Sequence, residues 1–400
     1  MRSIFRKFKR RFRIKDDGNR LGLLLSSPGA GAWQLLTMNL LSLGGEPVAR
    51  RGIRSYRREA DQAIARELQF RRDEAHTKAA KLVWRGKRRA AQKGFALAAA
   101  CAAHANWFAS SQDAHALNAA KALASYDRYR SLSRTCIQKW VWPANTHACG
   151  YLHVPDGDGP YPVLILLPDE LSVKEMLTPI VELALAFGIA VLAVDPPGWH
   201  IGLSHHWRQP SDWKNFISAA CVFLQDEERI DCRRLATGAM LTGALWALYC
   251  GAIEPRIGVS MAIIPQSPLD VLFGDHVKKQ SSLVQRFILE HAGCSHVEEY
   301  LRCWNSLDVE AVLERYRDTV LLDERFTVDG GTHIRLASAN KEHLEREPAF
   351  FPLAEVPGSF TYQQLWSPAL EWLEDYFTGC RAYGSGGRFM PSRQAMPLQL

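Results

Sequence analysis

The sequence predicts an α/β protein whose core is a mostly parallel, doubly wound sheet with helices on both faces. Short and wholly apolar runs, such as residues 163–167 and 189–194, alternate with helix-like stretches. Such runs are typical of strands that are buried on both faces of a sheet. Residues 50–131 instead repeat apolar side chains every three or four positions and contain almost no Pro or Gly. This second pattern predicts a helical region before the sheet.

The α/β region opens with a predicted β-hairpin at residues 136–142 and 150–154, separated by Pro143, Ala144 and Asn145. The elements after it alternate between strand and helix, which is the pattern of parallel βαβ units. Further strands are predicted at residues 163–167, 189–194, 234–237, 257–264, 334–338 and 358–362, and helices up to residue 187 and at 213–225, 243–250 and 368–377.

The same patterns divide the chain into a tail, a helical region, an α/β domain and a second tail. A long helix-like insertion at residues 281–317 separates late strands, where lids usually cover a pocket at the carboxyl ends of the strands. The predicted segments are a basic, disordered tail at 1–20, the helical region at 21–132, the α/β domain at 133–380 with a helical cap at about 270–320, and a disordered tail at 381–400.

Composition limits the function classes. The 400 residues are 47% hydrophobic and 23% charged, which is enough apolar material for a large core. Nine cysteines are scattered with no CxxC pair, so neither a disulfide framework nor a structural zinc site is indicated. We expect no metal and no cofactor, and a reducing cytoplasm is the expected compartment.

The basic character of the chain is concentrated at its N-terminus. The net charge is +7, but residues 1–100 hold 24 Lys and Arg against 8 Asp and Glu. Residues 1–15 mix these cations with Phe and Ile, a composition that fits a solvated tail or peripheral contact with an anionic membrane. Nucleic-acid binding is disfavoured because no reader motif accompanies the charge. The uncharged stretch at 21–45 is broken at 26–31, so a membrane span is not predicted.

Several motifs in their order resemble one subfamily of the α/β-hydrolases. That subfamily contains 2,6-dihydroxypseudooxynicotine hydrolase, the fermentation-respiration-switch-like esterases and the fungal polyketide-shortening hydrolases. The resemblance extends over residues 44–377 and implies hydrolysis of esters or ketone carbon–carbon bonds by a Ser, Asp, His triad under a helical cap. The motifs that carry it are Pro160-Tyr161-Pro162 with the apolar run at 163–167, Ser172-Val173-Lys174-Glu175, Asp195-Pro196-Pro197-Gly198, residues 235–243 and Glu254-Pro255-Arg256.

The nucleophile expected from this resemblance is absent. A nucleophile elbow needs Gly-x-Ser-x-Gly, because the serine sits on a strained strand-to-helix turn where small neighbours let the backbones pass. This chain reads Gly238, Ala239, Met240, Leu241 and Thr242, so a thioether stands where the serine should be. A thioether has no proton to lose and cannot form an acyl-enzyme. Thr242 is left as a candidate for a displaced nucleophile.

The other expected catalytic groups are also replaced. The oxyanion loop has Pro168 and Asp169 where the subfamily carries a glycine pair, and proline has no N–H to donate. Lys341 or Asn340 stands at the expected position of the triad acid, where Glu342 could substitute only with a one-residue shift. Ser359 stands where the histidine should follow the last strand. The final histidine in the chain is His343. The predicted pocket and elbow residues are thus Pro168, Asp169, Gly238, Ala239, Met240, Leu241 and Trp199.

Other polar residues are candidates for a replacement chemistry at the same edge of the sheet. Asp169, Asp195 and His200 are candidate acids or bases; His205, His206 and Glu170 lie near them in the sequence, but at no metal-ligand spacing. Trp199, Trp207 and Trp213 could line an aromatic pocket or belong to the core. His104 is expected to be a packed helical histidine.

Two functions remain open from the sequence. The first is a non-hydrolytic pseudo-hydrolase that binds a small molecule or a partner protein. The second is a biosynthetic enzyme, an atypical hydrolase, lyase or cyclase, that acts on a polyketide-like or aromatic ketone or ester through acid and base residues outside the triad. A second copy of the chain, in a homodimer, is a further candidate partner.

Overall fold

The computed structural model describes the helical region after residue 60 and most of the α/β domain. The described residues are 61–109, 111–142, 149–169, 171–196, 210–265, 285–286, 288–289, 294–300, 320–322, 349–350 and 362–382. The predicted tail at 1–20 and the uncharged stretch at 21–45 lie outside these ranges, as does most of the predicted cap.

Among the described residues, three helices precede the sheet: α1 (Asp61–Trp84), α2 (Arg88–Trp107) and α3 (Gln112–Ser131). The small side chains of α2 are buried along most of its length, because it packs against both α1 and α3. The hydroxyl of Ser111 accepts a hydrogen bond from the N–H of Ala114 at 3.2 Å and so caps the start of α3.

In the described part of the chain, the sheet has eight strands in the order β1-β2-β4-β3-β5-β6-β7-β8. β1 pairs antiparallel with β2, and β2 antiparallel with β4; from β4 to β8 every pairing is parallel. The strands are β1 (Cys136–Val141), β2 (Cys149–Val154), β3 (Tyr161–Leu166), β4 (Ala190–Asp195), β5 (Ile230–Met240), β6 (Ile257–Pro265), β7 (Val320–Leu322) and β8 (Ala349–Phe350).

Helices cover the sheet, and its central strands are the most deeply buried part of the core. Residues 163–166 of β3 and 190–194 of β4 have no exposed surface, which confirms the interpretation of these apolar runs as central parallel strands. The helices of the α/β domain are α4 (Thr178–Ala186), preceded by a 3₁₀ turn (Lys174–Leu177), then α5 (Pro210–Gln225), α6 (Leu241–Ile253) and α7 (Tyr362–Ala382).

The late part of the chain differs from the predicted pattern. A short strand, β7, pairs with β6 and was not predicted, while the strand predicted at 334–338 lies outside the described residues. The prediction of a strand at residues 358–362 is wrong at residue 362, because Tyr362 begins helix α7. The side chains of Tyr362, Trp366, Leu370 and Leu373 are all buried, and this spacing of three to four places one helical face on the core.

His104 is a packed histidine on α2, as predicted. It has no exposed surface, and its ring stands edge-on to Trp107 with the centroids 4.4 Å apart. Within the described part of the chain neither ring nitrogen has a hydrogen-bond partner. Burial lowers the pKa of His104 to about 3, so the folded protein holds this imidazole neutral.

A His104→Phe variant is expected to lose less stability in acid than the parent. A histidine in the unfolded chain binds a proton below about pH 6.5, whereas buried His104 in the folded protein resists protonation. The contribution of neutral His104 to stability is therefore fully present above pH 6.5 and is lost progressively as the pH falls towards 3. The loss at pH 5 relative to pH 7.5 is about 2 kcal/mol. Urea unfolding at both pH values measures it.

The matched control is His296→Phe, because the side chain of His296 is exposed. It should keep the full acid sensitivity of the parent. Equal acid sensitivity in His104→Phe and the parent would show that His104 is not held neutral in the folded state.

Candidate functional site

The carboxyl ends of the four central parallel strands meet at one edge of the sheet, which we call the carboxyl edge. Leu166, Asp195, Met240 and Pro265 are the last residues of β3, β4, β5 and β6. Cys149, the first residue of antiparallel β2, pairs with Asp195 and lies at the same edge. Ligands of open α/β sheets bind at this edge, so the candidate site is located here.

Met240 stands at the junction between β5 and α6 in a relaxed conformation. Its backbone angles are φ −117° and ψ 159°, which are ordinary extended values. It still pairs with Ile263 of β6, so the strand continues regularly through the position where an elbow would turn. The side chain is only 4% exposed and belongs to the core. The strained turn that lifts a nucleophile out of a sheet is therefore not formed at Met240.

Thr242 lies beyond this junction, in the first turn of α6. Leu241 is the first residue of the same helix. A nucleophile needs the exposed strand-to-helix turn, and a position inside the helix does not supply it. The backbone placement of Thr242 thus argues against the displaced-nucleophile hypothesis.

The hydroxyls buried beneath Met240 already have partners. The hydroxyl of Thr237 donates to the carbonyl of Ala247 at 2.9 Å and lies 2.7 Å from the hydroxyl of Ser260. Both residues have no exposed surface. They join β5, β6 and α6, so they are structural rather than nucleophilic.

The loop after β3 is closed on itself where oxyanion donors would be needed. The N–H of Asp169 donates to the Ser172 hydroxyl at 3.0 Å, and Asp169 Oδ1 accepts from the N–H of Leu171 at 2.7 Å. The N–H of Ser172 in turn donates to the Asp169 carbonyl at 3.1 Å. Since Pro168 has no N–H, neither residue of the replaced glycine pair offers a free donor.

The same loop lies directly against the start of α6. A Cβ added at Gly243 would clash with the carbonyl oxygen of Pro168 and would stand 2.9 Å from its carbonyl carbon. Only glycine leaves room for this approach. The backbone of Pro168 thus occupies space beside the first turn of α6, where the elbow and the oxyanion hole of a hydrolase adjoin.

Asp195 is held in a buried charge cluster made with Lys174 and Glu175. Lys174 Nζ lies 2.5 Å from Asp195 Oδ2 and 2.9 Å from Glu175 Oε1. The N–H of Lys174 donates to Asp195 Oδ1 at 2.8 Å, so both oxygens of Asp195 bind the same residue. All three side chains are at most 2% exposed.

The charges of this cluster shift the pKa values of Lys174 and Asp195. Burial alone would lower the pKa of Lys174, but the charges of Asp195 and Glu175 outweigh it and hold that pKa well above its ordinary value. Burial raises the pKa of Asp195 to about 7, with Lys174 opposing and Glu175 adding to the rise. One cation faces two carboxylates, and this excess negative charge favours retention of a proton.

Aromatic and polar groups from β2 and α3 enclose this cluster. Lys174 Nζ lies 5.5 Å from the centre of the Tyr151 ring, within cation–π range. The Tyr126 hydroxyl is 3.0 Å from His153 Nε2. Burial, with a further contribution from Arg130, lowers the pKa of His153 to about 3. The sequence does not predict the contact between Tyr126 and His153, because α3 and β2 carry no motif that would indicate it.

Comparison with known proteins bears on this arrangement. No protein-family model matches the chain. An FrsA esterase of Klebsiella pneumoniae (strain 342) is 30% identical over 115 residues, which are 28% of this chain and 27% of the esterase. A 2,6-dihydropseudooxynicotine hydrolase of Paenarthrobacter nicotinovorans is 29% identical over 120 residues, which are 30% of this chain and 32% of the hydrolase.

Solved structures share the fold over most of the chain. A crystal structure of 2,6-dihydroxy-pseudo-oxynicotine hydrolase superimposes with a TM-score of 0.67, at 19% identity, over 84% of this chain and 94% of that chain. AbyA5 superimposes with a TM-score of 0.53, at 17% identity, over 76% of this chain and 88% of that chain. This chain has the α/β-hydrolase fold.

At the level of sequence, the chain is similar to the FrsA esterase and to the pseudooxynicotine hydrolase over these stretches. The sequence similarity covers less than a third of the length of each of these curated relatives. The α/β-hydrolase fold predicted from the sequence is confirmed. Met240 lies at the junction of β5 and α6.

Several predicted site residues lie outside the described parts of this α/β-hydrolase chain. They are Glu170, Trp199, His200, His205, His206, Trp207, Lys341, His343 and Ser359. The acid position expected at Lys341 therefore stays a prediction. Trp213 is described, and it stacks on Trp246 with the ring centres 3.9 Å apart, which is core packing.

Two further findings concern ligands of this α/β-hydrolase chain. In the described ranges no group of three or more His, Cys, Asp or Glu side chains is arranged to hold a metal ion. A cavity of about 320 Å³ is lined by residues that include Tyr161, Ile189, Arg234 and Glu374. Tyr161 begins β3 and Ile189 precedes β4, so this cavity lies at the edge opposite the candidate site.

A Lys174→Met variant is expected to lose about 3–5 kcal/mol of unfolding free energy, the usual cost of leaving buried charges without their partner. The substitution keeps an unbranched side chain, one heavy atom shorter, but leaves Asp195 and Glu175 buried together without a cation. Urea unfolding followed by tryptophan fluorescence measures the loss.

The matched control is Lys214→Met on α5, whose side chain is exposed. It should change stability by less than about 0.5 kcal/mol. A loss below about 1 kcal/mol in Lys174→Met, the size expected for an exposed ion pair, would contradict the structural role assigned to the cluster.

Proposed function

We propose that this protein is a non-hydrolytic member of the α/β-hydrolase superfamily that uses its carboxyl edge to bind rather than to hydrolyse. The observation that carries the proposal is Met240: a thioether in an extended, buried position at the end of β5. Neither the chemistry of the side chain nor the conformation of the backbone provides a nucleophile there.

The oxyanion loop supports the same proposal independently of Met240. A hydrolase of this fold stabilises the tetrahedral intermediate with free backbone N–H groups. Here Pro168 has none, and the N–H of Asp169 already binds Ser172. Removal of a single oxyanion donor costs about a hundredfold to a thousandfold in rate, so the missing donors would suppress acyl transfer even with a serine in place.

The proposed ligand is a small molecule or a partner protein at the carboxyl edge. The proposal of a small-molecule ligand is based on the relatives, one of which acts on a pseudooxynicotine. An aromatic ketone is therefore the ligand class to test first. 2,6-Dihydroxypseudooxynicotine is a suitable probe, with retention in equilibrium dialysis as the readout and intact probe recovered by chromatography. Cleavage of the probe would contradict the proposal, and absence of retention would favour the partner-protein form.

The parent protein and a Met240→Ser variant are both expected to resist labelling by a fluorophosphonate probe. Restoring the hydroxyl alone should not restore reactivity, because the backbone at residue 240 is extended and neither Pro168 nor Asp169 in the loop after β3 offers a free oxyanion donor. Gel fluorescence after labelling measures reactivity, and release of p-nitrophenol from p-nitrophenyl acetate measures turnover.

The positive control is the Klebsiella FrsA esterase, which should respond under identical conditions. A Met240→Leu variant, which keeps an apolar side chain, is the matched negative control for Met240→Ser. Labelling of any residue of the parent protein from Gly238 to Thr242 would refute the proposal.

A second candidate is an atypical hydrolase, lyase or cyclase that uses Asp169, Asp195 or His200. One observation favours it: burial brings the pKa of Asp195 close to neutral pH, where general acid–base catalysis is most effective. Against this role, both oxygens of Asp195 accept hydrogen bonds from Lys174, which direct the carboxylate towards the 3₁₀ turn.

Substitution separates this candidate from the pseudo-hydrolase. If Asp169 or His200 acts in catalysis, Asp169→Asn or His200→Ala should lower turnover of an aromatic ketone or ester at least about a hundredfold, the usual share of a general acid or base. Unchanged turnover in both variants would exclude those two residues. Asp169→Asn keeps an oxygen for the N–H of Leu171, so its loop is preserved.

A further inference from the structure

The turn between α1 and α2 presents a tryptophan to solvent. Trp84, the last residue of α1, is 92% exposed, and Val83 beside it is 42% exposed. A fully exposed tryptophan is unusual because the indole ring is among the largest apolar surfaces of any side chain. Trp84 therefore makes little contribution to the core of this protein.

Local hydrogen bonds close the backbone of the turn and so fix the backbone position of Trp84. The N–H of Gly86 donates to the Val83 carbonyl at 2.9 Å, and the N–H of Lys87 donates to the Leu82 carbonyl at 2.9 Å. Gly86 has a φ of +68°, the left-handed conformation that this helix end requires. The turn has a defined shape that presents its side chains outward.

The surroundings of Trp84 are strongly basic. Between residues 75 and 112 the sequence contains no Asp or Glu. Five exposed cations lie within nine residues around the turn, namely Lys81, Arg85, Lys87, Arg88 and Arg89. Arg88 also donates to the carbonyls of Ser131 and Leu132 at the end of α3, which brings Arg128 and Arg134 to the same end of the helical region. We call these residues with Val83 and Trp84 the basic tip.

Stabilisation of the helix ends does not explain the position of all of these cations. Lys81 and Arg85 lie at the C-terminal end of α1, where the helix dipole favours positive charge. Arg88 and Arg89, however, occupy the first turn of α2, where the dipole disfavours cations and where no acidic residue stands. Acidic groups facing the tip are Asp127, which lies 3.5 Å from Arg130, and Glu182, which interacts with Arg89 and Lys93.

We propose that the basic tip docks the protein on a bilayer that contains anionic phospholipid, with Trp84 inserted at the level of the headgroups. Tryptophan prefers the membrane–water interface, since its ring is apolar and its N–H is polar. Clustered Lys and Arg side chains bind the negative surface potential of such a bilayer. Among the described residues no helix is long and apolar enough to cross a membrane, so the contact is peripheral.

Vesicle sedimentation with the full-length protein tests this proposal. Vesicles of equal parts phosphatidylcholine and phosphatidylserine should bind the protein, and vesicles of phosphatidylcholine alone should bind it much less. Trp84→Ala should weaken binding about tenfold, the effect of withdrawing one large apolar side chain from the interface. Arg85→Ala with Lys87→Ala should weaken it about 25-fold, from about fivefold for each cation near the surface.

Matched controls come from exposed residues away from the tip. Leu117→Ala removes an apolar side chain that is 53% exposed in the first half of α3, and Lys214→Ala removes an exposed cation of α5. Both should retain the affinity of the parent. Since Trp84, Arg85 and Lys87 are exposed, their variants should unfold at the parent's temperature, so lost binding cannot be ascribed to lost folding.

Quenching by brominated phosphatidylcholine in the same mixed vesicles shows whether Trp84 enters the bilayer. The parent's tryptophan emission should fall, and Trp84→Phe should remove most of that fall. Unchanged vesicle affinity in Trp84→Ala and the double variant would overturn the proposal. It would equally be overturned if the tip variants lost affinity for a single-stranded oligonucleotide but not for the mixed vesicles, since the tip would then be a nucleic-acid surface.

Discussion

A lysine ammonium group buried between two carboxylates ties the loop after β3 to the end of β4. Lys174 donates hydrogen bonds to both carboxylate oxygens of Asp195, one from its backbone N–H and one from its side chain. Removal of a charge from water costs several kcal/mol, so such a group persists only where its partners are held in position. The position of the 3₁₀ turn, and with it the path of the loop at the carboxyl edge, depends on this contact.

The carboxyl edge is shaped by that constraint together with the glycine at the start of α6. Gly243 lets the carbonyl of Pro168 approach the helix, while Asp169 and Ser172 close the loop between Pro168 and the 3₁₀ turn. Met240 continues β5 without a strained turn. These features are compatible with one another. A strand that stays extended leaves no turn for the loop to avoid, and the N–H groups of the closed loop are used within the loop itself.

Much of the fold could be predicted because its signals are local. Residues 163–166 and 190–194 are apolar without interruption, a pattern typical of strands that are buried on both faces of a sheet. β7 could not be predicted, because the three residues Val320–Leu322 have no measurable periodicity and become a strand only by pairing with β6. Tyr362 was assigned to a strand although it begins a helix, since an aromatic residue after Gly and Thr suits either element until its packing is known.

The candidate site shows the same division. The sequence by itself determined that Met240 cannot be a nucleophile and that Pro168 cannot donate a hydrogen bond, because both facts follow from the chemistry of single residues. The tertiary structure decided that Met240 is extended, that the carboxylate of Asp195 faces Lys174, and that Trp84 faces solvent. Those outcomes depend on contacts between residues that are distant along the chain, and the pattern around any single residue does not encode the direction in which a side chain points.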